Sequence, residues 1–410
     1  MQIVIIGNSA AGLSALSRFR SVDRESPITL ISAESGTAYS KVLLPYYLRR
    51  KIPYENLFIR RPEDYAQAGI KTEFGVKVRR VDTESHTLTL EDGRTIGFAR
   101  LLIATGSRPF LPPIEGLAGA NVYHLWTLSD TEQLDSLFRP GQRALVIGSG
   151  FIALQAAWAA QQRGLKVTVF ELLPRIMPTV LDDRAAAVLR QKVEEHGVEV
   201  RVGIHTEAVE RTRKGLLRVQ TKGHPPLDVD LIIVGAGVRP NTELLDGSPV
   251  QIDRGIPVDE YMETNVPGIY AAGDVARGPT AFGETHQTHA LWPTAVEHGR
   301  IAGANMAGRS VPYQGSLNMN VTEMFGITVA SMGKFIEDEG LTSHVIDEAG
   351  QSRYVKIILR EGIPIGAVAL GGADDTVILG RLRPWIRHQR RLPDVGGFLE
   401  GRYLLPRQVA

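Results

Sequence analysis

The chain has 410 residues, 43% of them apolar and 22% charged, a globular composition whose length predicts roughly two to four domains. Its 46 Lys and Arg against 45 Asp and Glu leave a net charge of +1, which excludes a long-range field that would recruit nucleic acid or an acidic membrane surface. Cysteine is absent, which excludes disulfides, cysteine-ligated zinc, iron–sulfur clusters and thiol nucleophiles within this chain, so redox chemistry here has to use bound organic cofactors.

Residues 1 to 6 read as a buried parallel strand, Gly12 to Phe19 as its crossover helix and Ile28 to Ser32 as the next strand, a βαβ unit. No basic n-region or cleavage pattern precedes Ile3, and no run approaches about 18 uninterrupted apolar residues, so a cytoplasmic protein without membrane insertion is expected. Between strand and helix lies Gly7-Asn8-Ser9-Ala10-Ala11-Gly12, a glycine fingerprint. Glycine lets the backbone turn sharply and approach a pyrophosphate, and the free N–H groups and dipole of the following helix start favour its charge. Glu34, just beyond the second strand, is placed to accept hydrogen bonds from adenosine ribose hydroxyls; a solvated loop carboxylate is the alternative. Pro109 to Pro113 carries three prolines and reads as a stiff connector at a domain boundary.

A second unit repeats the pattern: strand Ala144 to Ile147, fingerprint Gly148-Ser149-Gly150-Phe151-Ile152-Ala153, helix Ile152 to Gln162, and strand Lys166 to Phe170 ending at Glu171. A carboxylate there binds a free 2′-hydroxyl and repels a 2′-phosphate, which favours NADH over NADPH; Arg175 nearby is the residue that could accommodate the phosphate instead. Gly235 to Asn241, including Gly237, follows the apolar strand Leu231 to Val234 as the exit from this domain. From about residue 314 short β-rich pieces such as Tyr354 to Leu359 and Ile363 to Leu370 mark a third domain. Arg381, Arg383, Arg387, His388, Arg390 and Arg391 around Pro384 and Trp385 form a basic cluster, either a solvated helix face or a docking surface for an acidic protein.

Two nucleotide cradles, together with Ala104-Thr105-Gly106-Ser107-Arg108-Pro109 and Ile269-Tyr270-Ala271-Ala272-Gly273-Asp274-Val275-Ala276, resemble the FAD-dependent pyridine nucleotide-disulfide oxidoreductase superfamily. The resemblance implies an α/β fold of two Rossmann-like domains, the first discontinuous: an FAD domain over 1–112 and 249–313, an NADH domain over 113–248, and a C-terminal α+β interface domain over 314–410. It implies FAD contacts from Gly7, Ser9, Ala10, Ala11, Gly12, Glu34, Lys41, Val78, Ala104, Thr105, Gly106, Gly273, Asp274, Leu291 and Trp292, and NADH contacts from Gly148, Gly150, Phe151, Ile152, Gln155, Glu171 and Gly237. Ser9 stands where a second glycine is common, Ala153 where a third is, and Gln155 where relatives often carry glutamate.

Tyr39 to Leu48 occupies the place of the family's active cysteine and is similar to the tyrosine-basic-proline segment of rubredoxin-type and nitrite-reductase-type flavoproteins. That likeness implies Lys41 beside the flavin, stabilising charge near N1 and N5; a surface loop lysine is the plain alternative. Leu291-Trp292-Pro293 opens a helix whose start points at the flavin in the family, with proline at its first position, though Trp292 could equally be core. The C-terminal stretch from Asn318 to Gly333 is similar to the FAD- and NADH-binding subunits of multisubunit oxidoreductases, including those of phenylglyoxylate dehydrogenase and tungsten-dependent aldehyde oxidoreductase. The implied function is hydride transfer between NADH and FAD, with electrons exchanged with an iron–sulfur subunit of a complex that also holds a larger catalytic subunit. A freestanding NADH oxidase, a rubredoxin or ferredoxin reductase, and an FAD-retaining structural subunit are the alternatives.

Overall fold

The computed structural model describes residues 2–282 and 286–399, which fall into two compact units. The first takes the described residues within 1–43, 52–108 and 238–317; the second those within 44–51, 109–237 and 318–410.

In the first unit the apolar runs pair as an all-parallel five-stranded sheet in the order Ile269–Ala271, Arg100–Ile103, Ile3–Ile6, Ile28–Ser32, Ile70–Phe74. The three central strands bury almost every residue, the signature of a parallel sheet covered on both faces, whereas the edge strand Ile70–Phe74 is mostly open. Helix Ala10–Val22 starts two residues before the expected Gly12 and runs three beyond Phe19. Against it packs helix Trp292–Met306 at very short range: a Cβ on Gly299 would stand 2.2 Å from the Ala11 carbonyl oxygen, and one on Gly303 2.3 Å from that of Ala15. Two glycines one helical turn apart on the late helix thus admit the backbone of the first.

The second unit repeats the plan. Its parallel sheet runs Glu199–Val202, Lys166–Glu171, Arg143–Ile147, Leu231–Val234, Val122–Tyr123, with helix Phe151–Gln162 crossing from the third of these to the second. An antiparallel five-stranded sheet, ordered Met319–Met324, Ile327–Gly333, Ile363–Gly371, Arg353–Arg360, Leu341–Glu348, forms its C-terminal part, with helix Ala373–Arg387 packed against it. The expected strands at 354–359 and 363–370 lie inside longer ones. The chain crosses between the expected domains at a short two-stranded ribbon of Ser107–Pro109 with Val238–Pro240, so proline restricts the connector without leaving it unpaired.

The basic cluster is not simply a solvated face. Arg381 donates to the Phe398 carbonyl at 2.6 Å and lies 4.8 Å from that ring's centre, and Trp385 is buried. The helix turns these side chains onto the following segment, where the guanidinium stacks on an aromatic. Among the described residues no helix is long and apolar enough to cross a membrane, and no group of three or more His, Asp or Glu side chains is placed to hold a metal ion.

Candidate functional site

The first fingerprint folds as an interlocked loop. Gly7 takes φ +122°, and a Cβ there would stand 2.0 Å from the Ala104 carbonyl oxygen; one on Gly12 would stand 1.8 Å from that of Gly7. Only glycine fits either position. Ser9 is the helix N-cap in extended backbone, yet its side chain caps nothing. The amides of Ala10, Ala11 and Gly12 therefore open the helix without intrahelical partners. By contrast, Thr127 and Asp182 cap their helices with side-chain oxygens. An uncapped start beside a glycine loop is a site for a diphosphate.

Gly273 and Asp274 arrive beside this loop on the turn after strand Ile269–Ala271. Gly273 has φ +78°, with space for a Cβ only 3.1 Å from Ala11 Cβ. The Asp274 carboxylate accepts from the Ser107 hydroxyl at 2.8 Å; burial pushes its pKa up, while Ser107 and Lys41 pull it down. Thr105 and Gly106 are organised by Asn241: the Thr105 hydroxyl donates to the Asn241 carbonyl at 2.8 Å, the Asn241 amide side chain to Thr105 at 2.9 Å, and the Asn241 backbone N–H to Gly106 at 3.0 Å. Sequence reasoning missed the roles of Ser107 and Asn241, although both stand in segments it singled out, because nothing local tells which residue across about 135 positions pairs with which.

Lys41 and Glu34 do not occupy separate places. The ammonium bonds the carboxylate at 3.0 Å and the Tyr39 hydroxyl holds its other oxygen at 2.5 Å. The sequence reading assigned these side chains to opposite halves of one FAD; the structure joins them, because the segment after strand Ile28–Ser32 folds Tyr39 and Lys41 back toward the strand end. Val78 is buried in the core at the start of its strand, so its side chain lines no open cradle. Leu291 caps helix Trp292–Met306, Trp292 is half-buried against the core, and Pro293 stands at the second helical position and not the first.

The second fingerprint is built similarly at its first glycine. Gly148 takes φ +102°, with a Cβ there 2.5 Å from the Gly235 carbonyl oxygen. Gly150 is the N-cap and provides no side-chain cap, so Phe151, Ile152 and Ala153 open their helix with free amides; the space around a Gly150 Cβ is empty. Gly237, at φ +104°, is equally open. Glu171 is 8% exposed and accepts from the Ser149 hydroxyl at 2.5 Å and the Leu173 amide at 2.9 Å, tying the glycine loop to the end of the neighbouring strand. The Ser149 oxygen accepts in turn from the Met177 amide at 3.1 Å.

Arg175 is committed to its own loop, donating to the Leu181 and Pro178 carbonyls at 3.1 and 3.3 Å and pairing with Asp183 at 3.0 Å. Gln155, expected among the NADH contacts, is buried with its amide nitrogen on the Thr322 hydroxyl at 3.0 Å and the Glu323 carbonyl at 2.7 Å; its oxygen has no partner. Its donor end is thus taken by the C-terminal sheet. One turn on, Trp158 stacks on Phe325 at 5.5 Å, and the Arg49 guanidinium lies 3.8 Å from a Trp158 ring centre.

Residues 1–299 match the family model for pyridine nucleotide-disulphide oxidoreductases, and residues 319–382 match that for the rubredoxin NAD+ reductase C-terminal domain. The chain is 29% identical over 368 residues to the epsilon subunit of the NADH-dependent phenylglyoxylate dehydrogenase of Aromatoleum evansii, covering 89% of this chain and 87% of that protein. It is 30% identical over 380 residues to the NAD(P)H nitrite reductase of Bacillus subtilis, covering 91% of this chain and 46% of that protein, so it spans about half the length of that relative. Among solved structures, the covalent putidaredoxin reductase–putidaredoxin complex superposes with a TM-score of 0.86 at 26% identity, over 95% of this chain and 93% of that one. With a match over 1–299 and two glycine cradles of this geometry, the chain belongs to the pyridine nucleotide-disulphide oxidoreductase family, and it is an oxidoreductase that uses FAD and NAD(H).

Proposed function

We propose that this chain carries electrons between NADH and an iron–sulfur protein, as the flavin subunit of a larger complex with a separate catalytic subunit. FAD supplies the chemistry when bound, since it takes up two electrons as hydride and can release them singly. The residues of the chain bind and orient. In this reading the amides of Ala10 to Gly12 hold the FAD diphosphate, with Gly7, Ser9, Ala104 and Gly106 shaping the loop, Gly273 and Asp274 at the ribityl chain and Glu34 at the ribose. Thr105, Lys41, Val78, Leu291 and Trp292 complete that site, Val78 through its backbone. The amides after Gly148 and Gly150 hold the NADH diphosphate, with Phe151, Ile152, Gln155 and Gly237 beside it.

The observation that carries the nucleotide choice is the pair Glu171 and Arg175. A buried carboxylate at the strand end meets ribose hydroxyls, while the nearby Arg175 guanidinium, which could otherwise take a 2′-phosphate, is held by Asp183 and two carbonyls. The partner rests on the likeness to a phenylglyoxylate dehydrogenase subunit and to a rubredoxin reductase C-terminal domain. A freestanding ferredoxin reductase is the second reading, favoured by a match covering 93% of a putidaredoxin reductase chain. The cytoplasmic setting expected from the sequence is kept. Stopped-flow mixing with NADH tests turnover: rapid bleaching near 450 nm supports it, and an unreactive flavin sinks it. Native purification without a tag separates the readings, since stable co-purification with iron–sulfur and catalytic subunits supports the complex and isolation alone supports the freestanding reductase.

A further inference from the structure

A cavity of about 550 Å³ lies in the first unit, where helix Ala10–Val22 meets residues 59 and 60 and helix Trp292–Met306. Its polar lining is Ser14, Ser17, Arg18, Ser21, Arg60 and Arg300, with Leu13 and Ile59 as apolar wall. The serines and Arg18 share one helix because their spacing puts them on the same side. Arg300 joins them only because Gly299 lets its helix lie against Ser14 and Ala11. Arg60 is half-buried and oriented by a hydrogen bond to the Ser17 hydroxyl at 3.3 Å.

The charge arrangement is the informative part. Several surface arginines of this protein are paired, as Arg94, Arg184 and Arg218 are with carboxylates at 2.6 to 2.8 Å. Arg18, Arg60 and Arg300 all line this cavity, and no carboxylate of a described residue pairs with any of them. Like charges gathered in a concavity repel one another, and the arrangement is relieved by an anion. Guanidinium forks and serine hydroxyls match phosphate oxygens by geometry as well as charge. The volume falls within the roughly 300–1,000 Å³ of small-molecule sites, and the wall of Leu13 and Ile59 can cover an apolar portion.

We propose that this cavity binds a phosphate-bearing small molecule, distinct from both nucleotides of the redox reaction. Arg18, Arg60 and Arg300 hold the phosphate oxygens and Ser14 and Ser21 complete the hydrogen bonds. The test is calorimetric titration of inorganic pyrophosphate into FAD-loaded protein saturated with NAD+, at low salt. One saturable site is expected, weakened at least tenfold by Arg18→Ala and by Arg300→Ala, with FAD content and NAD+ affinity unchanged. Both arginines are exposed, so their removal leaves the fold intact, and Arg60→Lys checks the fork by keeping the charge while weakening binding. Absence of saturable binding overturns the proposal, as does binding undiminished in the Arg18→Ala/Arg300→Ala double variant. Salt-dependent capture of an acidic iron–sulfur protein by these arginines, with no pyrophosphate site, also overturns it and makes the cavity a protein-docking surface.

Discussion

The two glycine cradles share a motif and hold it in different ways. In the first, the strand end opposite the loop is Ala104 and the helix residue is Gly12; in the second the strand end is Gly235 and the helix residue is Ala153, whose Cβ would stand 2.7 Å from a Cβ on Gly235. In the first cradle a methyl on Gly12 would meet the Gly7 carbonyl, whereas in the second the helix carries its methyl at Ala153 and the strand end has none at Gly235. The absence of a third glycine in the second fingerprint is therefore compensated across the contact. The loops also differ in their fastening: backbone crowding of Gly7, Gly12 and Ala104 fixes the first, and the Ser149 hydroxyl on the Glu171 carboxylate fixes the second. A fingerprint records where glycine is needed, and the strand opposite decides at which position.

The largest effect should come from crowding the first loop. Gly12→Ala places a methyl into the Gly7 carbonyl and is expected to cost about 3 kcal/mol or more and to yield protein depleted in FAD. Gly150→Ala meets open space, so its stability should stay within roughly 0.5 kcal/mol of the parent, with a nearly unchanged melting temperature, while NADH binding weakens. Equal melting temperatures for the two variants would break the contrast. Next comes acid sensitivity of the first region. His298 is buried with both ring nitrogens bare, and burial lowers its pKa to about 4, Glu297 opposing weakly. The unfolded chain then binds the extra proton between pH 6.5 and about 4, so stability is full above that window and falls through it by about 3 kcal/mol, then levels off. His298→Leu should flatten this slope in thermal melts; an unchanged slope assigns it to other groups.

Glu171→Ala sharpens the comparison from the other side. It removes the fastening of the second loop and the proposed ribose acceptor together, so NADH affinity should fall by about 1.5–3 kcal/mol, roughly ten- to a hundredfold, with FAD content untouched. Unchanged NADH affinity in a direct titration removes Glu171 from the site. The smallest effect belongs to Lys41→Met, which breaks a partly exposed ion pair and should change stability by less than about 1 kcal/mol. A rate of NADH-driven flavin bleaching equal to the parent's would confine Lys41 to its pairing with Glu34.

Much of the frame was legible from residues alone. Both βαβ units, the strand ends at Ser32 and Glu171 and the open amides after Ser9 and Gly150 follow from apolar periodicity and glycine placement, which are local signals. The Lys41–Glu34 pair, the capture of Gln155 by the C-terminal sheet and the inward turn of Arg381 were not, because each depends on a side chain's choice among partners. Ser107 and Asn241 escaped for the same reason: a serine and an asparagine in a turn carry no mark of what they hold.

The sequence by itself determined that this chain makes two parallel-sheet nucleotide folds and brings no cysteine sulfur to its redox chemistry, since backbone permissiveness at glycine and the absence of a residue type are properties of the chain. Tertiary structure alone decided which glycine sits opposite which methyl, that Arg175 is committed to Asp183 and its own loop, and that three arginines from separate segments share one cavity. Those are distances between atoms far apart along the chain, and only packing brings them within reach.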